Sequence, residues 1–301
     1  MDVLGEILRV VRLKGSVYFN ECFGTSWGMS VAESGKCIFH IVVKGEAWLK
    51  INSISEVRRL AEGDIVLFPT GASHTISDTV NSECIPAEKV IDAYQNKIPL
   101  FIGPDEKNTI VCGYVEFSRF LSHPFLKQLP DLIHINKATI SQFCWLDNII
   151  TQVINESSES NIGTSIIIDK YTEIMFVKVL RAFANKNINN KNFLSALVDE
   201  QLSQALVLIH KIPEYNWSVE KLASEVAMSR AAFHKRFTDC IGTSPIKYLY
   251  EWRMMLALEL IENTNKPINL VAEEVGYDSD SSFQKAFKRF FKATPGSIRK
   301  N

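Results

Sequence analysis

The stretch Val271–Pro295, VAEEVGYDSDSSFQKAFKRFFKATP, repeats the pattern of Leu222–Pro245, LASEVAMSRAAFHKRFTDCIGTSP, with one extra residue in its turn. In each copy an apolar helical pattern ends at a valine, a serine marks the next helix start, and two phenylalanines follow four residues apart. Phenylalanines at that spacing share one side of a helix and predict a buried stripe. Each copy therefore predicts a short helix, a turn and a second helix whose other side is exposed.

An amphipathic segment, PIKYLYEWRMMLALELIEN, joins the two copies. Its predicted helix places Leu249, Trp252, Leu256 and Leu260 on one face. Nineteen residues at 1.5 Å each give a helix of about 28 Å, comparable with the ~34 Å between successive major grooves on one side of DNA. A connector of that length predicts that both second helices can reach the same side of one duplex.

The segment from about Leu202 to Arg299 resembles the DNA-binding domain of AraC/XylS-type transcriptional regulators. The resemblance rests on WSVEKLASEVAMSRAAFHKRF, GTSPIKYLYEWRMMLALELI, VAEEVGYDSDSSFQKAFKRFF and the final Thr-Pro pair. It implies double-stranded promoter DNA as a partner. It also implies that the positions facing bases or phosphates are Arg230, Ala231, His234, Lys235, Asp280, Ser281, Gln284, Lys285 and Lys288.

These side chains suit different parts of a duplex. Lysine and arginine attract phosphate, Gln284 is suited to adenine, and Lys235 or Lys285 to guanine. Asp280 either caps its helix or accepts a hydrogen bond from cytosine. From Gln284 to the end every charged side chain is positive, so the basic character is local although the net charge of the chain is -1.

The first third of the chain contains short apolar runs bounded by turn residues: SVYF, CIFHIVV, AWLKI and DIVLFP. This pattern predicts an antiparallel β domain. GDIVLFPTGASHTISD resembles the second cupin motif, and CIFHIVVKGEAWLKI resembles the first. The resemblance covers about residues 15–118 and implies a β-barrel that binds an effector.

Three side chains are candidates for an effector or metal site inside the predicted barrel: His40, His74 and Cys112. Metal-dependent cupins carry a His-x-His pair in the first motif, whereas here His40 is followed two residues later by Val42. Imidazole and thiolate groups suit a divalent metal such as zinc. In the alternative interpretation His74 bonds within its own turn, while His40 and Cys112 line a small-molecule pocket.

The predicted fold class is α+β, with an N-terminal antiparallel cupin-like β-barrel, following helices, and an all-α double helix-turn-helix domain. Residues 112–184 resemble the rest of a cupin-type sensor in an AraC-like subgroup, which implies a homodimer. The predicted domains are an effector-sensing and dimerisation domain at 1–184 (barrel about 15–118, helices about 137–184), a linker at 185–196 and a DNA-binding domain at 197–301.

The composition excludes several classes of protein. The 301-residue chain has no run of eighteen apolar residues, and its first segment does not fit a secretory signal. Its six cysteines lack the CxxC spacing of a zinc ribbon, which suits a reducing compartment. These features predict a cytoplasmic protein without a membrane partner.

The combined prediction is a sequence-specific transcriptional regulator, not an enzyme, controlled by a small molecule or metal in the barrel. RNA polymerase is a further candidate partner. Three alternatives remain open: a metal-dependent cupin enzyme, a metal or redox sensor that uses Cys37 and Cys112 and acts through the same DNA-binding domain, and an adaptor whose helical domain binds a protein.

Overall fold

The computed structural model describes residues 1–24, 26–51, 56–103, 108–117, 123–138, 144–159, 161–186 and 191–299. The chain divides into two compact units. The sheet unit comprises Leu13–Phe117 and Leu129–Lys186, and the helical unit comprises Met1–Arg12, Ser118–Gln128 and Asn187–Asn301. The helical unit thus includes two segments from within the predicted sensor range 1–184. Residues 187–190 of the predicted linker lie outside the described residues.

The sheet unit contains two five-stranded sheets in the part of the chain that is described. The strands are β1 (Lys14–Phe23), β2 (Gly28–Val31), β3 (Cys37–Lys44), β4 (Glu46–Ile51), β5 (Glu56–Ala61), β6 (Ile65–Phe68), β7 (His74–Ser77), β8 (Ile85–Pro86), β9 (Asn108–Glu116) and β10 (Ile133–Ile135). The first sheet has the order β1-β9-β3-β6-β10 and the second β5-β4-β7-β2-β8. Strand pairs are antiparallel apart from β2 with β8.

The helices follow in chain order: α1 (Val3–Val10), α2 (Ala87–Gln95), α3 (Pro124–Lys127), α4 (Cys144–Ser158), α5 (Thr164–Lys186), α6 (Phe193–Val198), α7 (Glu200–Lys211), α8 (Val219–Glu225), α9 (Arg230–Ile241), α10 (Pro245–Asn263), α11 (Ile268–Glu274), α12 (Asp280–Phe291) and α13 (Pro295–Arg299). The α+β class is confirmed. Within the described residues no helix is both long enough and apolar enough to cross a membrane.

The two sheets share one hydrophobic core. Phe23 and Cys112 reach it from the first sheet, and Leu49 and Ile76 reach it from the second. Helix α5 packs against β1, β9 and β10 of the first sheet. A strand covered on both faces has a continuous apolar run, which explains why CIFHIVV in β3 lacks the alternation of a half-exposed strand.

Gly71 shapes the turn that leads into β7. Its φ is +72°, and a Cβ at this position would come within 2.0 Å of the Ser34 carbonyl oxygen. Only glycine fits this left-handed conformation and close approach. The turn glycine of the second cupin-like motif therefore sets the path of the chain toward His74, three residues later.

Both predicted repeat units are present in the helical unit. Ser229 caps α9 by accepting a hydrogen bond from the Ala232 N–H, and Ser279 caps α12 by accepting one from the Ser282 N–H. Phe233 and Phe237 of α9 are fully buried, as are Phe283 and Phe287 of α12, with centroids 5.5 Å apart in the first pair and 5.6 Å apart in the second. The predicted assignment of these rings to the core is confirmed.

Helix α10 has the predicted length but is buried over more than the predicted stripe. Leu249 and Trp252 are buried as expected, whereas Leu256 and Leu260 are only partly buried and Tyr248 and Met255 are fully covered. The reason is that α1, α9, α11, α12 and α13 all contact α10. A helix surrounded by others is apolar on most sides, so one amphipathic face is too simple a description.

Arg253 fixes the second repeat to the middle of the helical unit. From α10, its guanidinium donates to the carbonyl oxygens of Pro213 at 2.7 Å, Tyr215 at 3.0 Å and Gly276 at 3.2 Å. Gly276 lies in the turn between α11 and α12. One side chain therefore satisfies three backbone acceptors and holds that turn in place.

Tyr248 connects two buried histidines of the helical unit. The Phe125 N–H donates to His123 Nδ1 at 3.1 Å, so the proton of a neutral His123 is on Nε2, which lies 3.2 Å from the Tyr248 hydroxyl. The Tyr248 hydroxyl in turn donates to His210 Nε2 at 2.7 Å. This order of donors leaves the buried His210 Nδ1–H without a partner in the described residues.

Each repeat contains two left-handed positions, and glycine occupies a different one in each copy. After the first helix, the residue is Ala227 with φ +52° in one copy and Gly276 with φ +83° in the other. After the second helix, it is Gly242 with φ +76° in one copy and Lys292 with φ +59° in the other. Left-handed backbone disfavours residues with a Cβ by about 1–2 kcal/mol, so each copy carries one strained position.

Substitutions at the first of these positions are expected to have opposite effects. Gly276→Ala would bring its Cβ within 2.6 Å of Arg253 Nη2 and 2.7 Å of Glu214 Cα, and we expect it to lower the free energy of unfolding by about 1–3 kcal/mol. Ala227→Gly relieves strain and is expected to stabilise by up to about 1 kcal/mol. Urea denaturation followed by circular dichroism measures both. Equal destabilisation by the two variants would contradict this account.

Candidate functional site

The first repeat presents its predicted DNA-facing side chains to solvent. Arg230, Ala231, His234 and Lys235 are all exposed on α9. Arg230 forms an ion pair with Glu220 of α8. An exposed pair of this kind contributes little stability, but it places a carboxylate beside a cation of the predicted DNA-facing surface.

The second repeat also presents its predicted DNA-facing side chains to solvent. On α12, Ser281, Gln284, Lys285 and Lys288 fall at i, i+3, i+4 and i+7 and share one exposed side of the helix. Lys285 and Lys288 have no ion-pair partner within the described part of the chain. Their two uncompensated charges make this side suited to phosphate.

Asp280 has a different contact from the two that its sequence position suggests. The cap of α12 is Ser279, so Asp280 does not cap the helix. The Asp280 carboxylate instead accepts a hydrogen bond of 2.8 Å from Gln284 Nε2. An amide has two N–H donors and a carbonyl acceptor, so Gln284 keeps one N–H and its oxygen for a base edge while Asp280 restricts its rotation.

The structure brings together the three candidate side chains of the sheet unit. His40 on β3 and Cys112 on β9 are directly paired across the first sheet, and His74 begins β7 in the second. His40 Nδ1 lies 2.8 Å from Cys112 Sγ, and His40 Nε2 lies 2.8 Å from His74 Nε2. All three side chains are buried.

Their hydrogen bonds form one chain of donors. His74 Nδ1 lies 2.8 Å from the Ala72 carbonyl oxygen, which only accepts, so the His74 proton is on Nδ1 and its Nε2 accepts from His40. The remaining nitrogen of His40, Nδ1, then accepts from the Cys112 thiol. With donors in the order Cys112, His40, His74, and Ala72 as the last acceptor, every polar side-chain atom of these three residues has a hydrogen-bond partner, and all the groups are neutral.

Burial keeps these groups neutral. Desolvation lowers the pKa of His74 to about 4, and desolvation together with His74 holds the pKa of His40 well below its usual range. Desolvation also raises the pKa of the Cys112 thiol well above its usual range. Removal of a charged group from water is the physical cause in all three cases.

The donor types suit zinc, but their arrangement does not. Two nitrogens bound to one tetrahedral zinc ion through ~2.0 Å bonds are about 3.3 Å apart, whereas the His40 and His74 nitrogens approach to 2.8 Å along a hydrogen bond. In the described residues no group of three His, Cys, Asp or Glu side chains is arranged to hold a metal ion. Metal binding would require these hydrogen bonds to be broken.

Two further groups contact this buried chain, and the first, the Ala72 carbonyl, is a partner within the turn of the kind that the alternative interpretation expects for His74. The Ala72 carbonyl fixes the protonated nitrogen of His74, and the Phe68 ring stacks on His74 with centroids 3.5 Å apart. A backbone carbonyl cannot be identified as a partner from residue type. The proline and glycine of the second cupin-like motif indicate a tight turn there, which is the only sequence feature that points to this contact.

Comparisons with known proteins identify one domain family in each part of the chain. The family model described as cupin matches residues 2–185, and that described as helix-turn-helix domain matches residues 222–301. The HTH-type transcriptional regulator AlkR of Acinetobacter baylyi is 30% identical, with coverage of 99% of this chain and 99% of the relative. The activator RclR of Escherichia coli is 28% identical (99% and 97%), and a putative AraC-like regulator of Streptomyces antibioticus is 25% identical (100% and 99%).

A cupin domain followed by paired helix-turn-helix units defines a class of DNA-binding transcriptional regulator. The chain belongs to the AraC-like family of these regulators. The named relatives are regulators over their whole length, which points to a regulator rather than an enzyme. The incomplete His-x-His pair is consistent with that assignment, because Val42 stands two residues after His40 and supplies no imidazole ligand.

Cys112→Ser and Cys112→Val separate the hydrogen bond from the packing at this position. Serine keeps a donor to His40 Nδ1, whereas valine leaves this buried nitrogen without a donor. If the His40 proton moved to Nδ1 in the valine variant, His40 Nε2 and His74 Nε2 would face each other as two acceptors. We expect the valine variant to be less stable than the serine variant by about 1–3 kcal/mol. Urea denaturation measures the difference, and equal stabilities would contradict the assigned donor order.

Proposed function

We propose that the chain binds promoter DNA as a homodimer in the cytoplasm and places α9 and α12 in successive major grooves. The observation that supports this most strongly is the exposed face of Ser281, Gln284, Lys285 and Lys288 on a helix held by buried phenylalanines. A major groove admits an α-helix and presents base edges to its side chains. The nineteen-residue α10 provides a connector of suitable length.

The two repeats are proposed to contribute unequally. In the second repeat Lys285 and Lys288 supply charge for phosphates, and Gln284 supplies an amide for a base. In the first repeat Ala231 offers only a methyl group, suited to apolar contact with thymine, and Arg230 is paired with Glu220. Lys235 and His234 remain for phosphate or base contacts. Sequence discrimination is therefore expected mainly from the second repeat.

Control by an effector is proposed to act through the buried chain of Cys112, His40 and His74. These hydrogen bonds connect strands of the two sheets, so a ligand that breaks one of them affects the packing of both sheets. A ligand changes regulation only if it binds two conformations unequally. A small molecule is favoured over a metal, because the side chains already satisfy one another and do not surround a common point.

The proposed homodimer interface lies on α5 and the turn before it. Ile162, Ile166, Ile167 and Ile174 are exposed there, with exposed fractions between 39% and 103%. Ile167 and Ile174 are seven residues apart and share a helix face. Exposed aliphatic groups concentrated in one place mark association sites, and a second copy of this helix would offer the same surface in a two-fold arrangement.

Two substitutions test the proposed roles on α12. Lys285→Ala is expected to weaken binding to all DNA sequences and to reduce the slope of log affinity against log salt by about one. Gln284→Ala is expected to lose about 1–3 kcal/mol of discrimination at one base pair with little change in slope. Fluorescence anisotropy with the operator and single-base variants, titrated over a range of salt concentrations, measures both effects.

Lys211→Ala is the matched control, because Lys211 is an exposed lysine on α7 outside both second helices. It should leave the salt slope and the base discrimination unchanged. If Lys285→Ala behaves like this control, α12 does not contact phosphate in the proposed way. If Gln284→Ala weakens all sequences equally, its role is not base recognition.

The dimer interface is tested by placing charges on the shared face of α5. The double variant Ile167→Asp, Ile174→Asp is expected to raise the dimer dissociation constant at least about tenfold, because two carboxylates per copy would lose water on association. Sedimentation velocity over a concentration series measures the change. Val57→Asp, at an exposed valine on β5, is the control. An unchanged dimer in the double variant would place the interface elsewhere.

A further inference from the structure

A cavity of about 280 Å³ lies in the sheet unit, away from the buried histidine and cysteine chain. The end of β1, helix α2 and the loop after α2 line it and leave one side open, through residues that include Glu21, Val90 and Leu100. Its volume is near the lower end of the range for small-molecule sites. Most of its wall is aliphatic or aromatic, so it suits a ligand with an apolar body.

Glu21 is a carboxylate at a position that the strand pattern assigns to the core. On β1 it lies two residues from each of the core residues Phe19 and Phe23. Across the sheet it pairs with Ile110, which also belongs to the core. Side chains two apart on a strand, and those paired directly across it, point to the same face. No ion pair to Glu21 occurs in the described part of the chain.

Burial has the expected effect on this carboxylate. It raises the pKa of Glu21, and the proximity of Glu21, added to burial, raises the pKa of Tyr94. A hydrogen bond from the Cys22 backbone opposes the shift at Glu21, and no positively charged group contributes to either shift. A cation brought to this wall would stabilise the ionised form of Glu21.

Three exposed side chains with apolar groups lie at the mouth of the cavity. Tyr94, Ile98 and Ile102 are among its lining residues, and 37%, 55% and 71% of their respective surfaces are exposed. The loop that carries the two isoleucines is fixed at both ends, since the Ile98 N–H donates to the Ala93 carbonyl oxygen and the Gly24 N–H to that of Phe101. These apolar groups therefore remain at the rim of an anchored loop, where an apolar ligand would cover them.

We propose that this cavity binds an amphipathic amine, with its aliphatic part against Val90, Leu100 and Ile98 and its ammonium group at the Glu21 carboxylate. The site differs from the buried chain proposed for effector control, and it does not depend on DNA binding. Glu21 sets the preference for a cation, while the apolar wall supplies most of the affinity.

Lys97 is the group that would favour an anionic ligand instead. Its side chain is exposed at the rim, whereas Glu21 is partly buried inside the cavity. Solvent and salt screen an exposed charge much more strongly than one in a partly buried, apolar setting. The carboxylate therefore dominates the selectivity of the site, and an amine is preferred to a carboxylic acid with the same tail.

Three ligands with the same tail test the proposal: n-octylamine, n-octanol and n-octanoate. Isothermal titration calorimetry with the full-length protein, below the concentration at which each ligand forms micelles, gives their relative affinities. We expect octylamine to bind about ten times more tightly than octanol, and octanoate to bind most weakly. Octanoate binding as well as octylamine, or better, would overturn the proposal.

Two cysteines report whether binding occurs in the cavity. Cys22 lines it, whereas Cys84 is comparably half-buried in the same unit but does not line it. Alkylation followed by peptide mass spectrometry should show slower labelling of Cys22 at saturating octylamine and unchanged labelling of Cys84. Equal protection of both thiols, or protection of neither, would mean that the amine binds elsewhere or disturbs the protein generally.

Glu21→Gln removes the charge and keeps the shape of the side chain. We expect it to weaken octylamine about tenfold and to leave octanol within about twofold, so that the preference for the amine disappears. Glu33→Gln, at an exposed glutamate outside the cavity, should change neither affinity. If Glu21→Gln retains the full preference for the amine, the carboxylate is not its partner. Unchanged octanol binding in the same variant shows that the protein is still folded.

Discussion

Burial of two phenylalanine rings, four residues apart on α9 and again on α12, is the constraint on which the exposed surface of the helical unit depends. Rings at that spacing fix the rotation of a helix about its own axis, because both must lie in the core. Side chains on the opposite side of each helix, such as Gln284 and Lys285 on α12, then point outward. Full burial of a phenylalanine contributes about 1.5–3 kcal/mol relative to exposure, far more than an exposed ion pair such as Arg230 with Glu220.

The buried polar groups differ between the two units in whether every hydrogen-bond donor has an acceptor. In the sheet unit the chain from Cys112 to Ala72 ends at a carbonyl oxygen, so every donor has an acceptor. In the helical unit the order through Tyr248 ends at a His210 N–H without a described partner. An unsatisfied buried donor costs about 1–3 kcal/mol. Packing against Trp252, whose ring stacks on His210 at 3.9 Å, helps to offset that cost.

Local patterns in the sequence predicted the repeats, their serine caps and the α+β class, because caps, turns and helical periodicity involve residues close together in the chain. The resemblance to the two cupin motifs placed His40 and His74 in the predicted sheet domain, and residue type added Cys112 as a candidate for the same site. The assignment of 123–128 to the helical unit was not predictable, because His123 meets Tyr248 across 125 positions of sequence. The breadth of burial on α10 was missed for a related reason: it depends on how many helices surround it.

The two repeats show how one backbone motif can support different chemistry. Their caps, aromatic pairs and left-handed positions correspond, so the same local physics builds both. Glycine, however, occupies the turn of the second copy, where Arg253 and Glu214 leave no room for a Cβ. At Ala227, the equivalent position of the first copy, the left-handed strain is tolerated. The turn that packs against Arg253 and Glu214 therefore belongs to the copy that presents Lys285 and Lys288, so the same packing that excludes a Cβ at Gly276 also anchors the helix that carries these lysines.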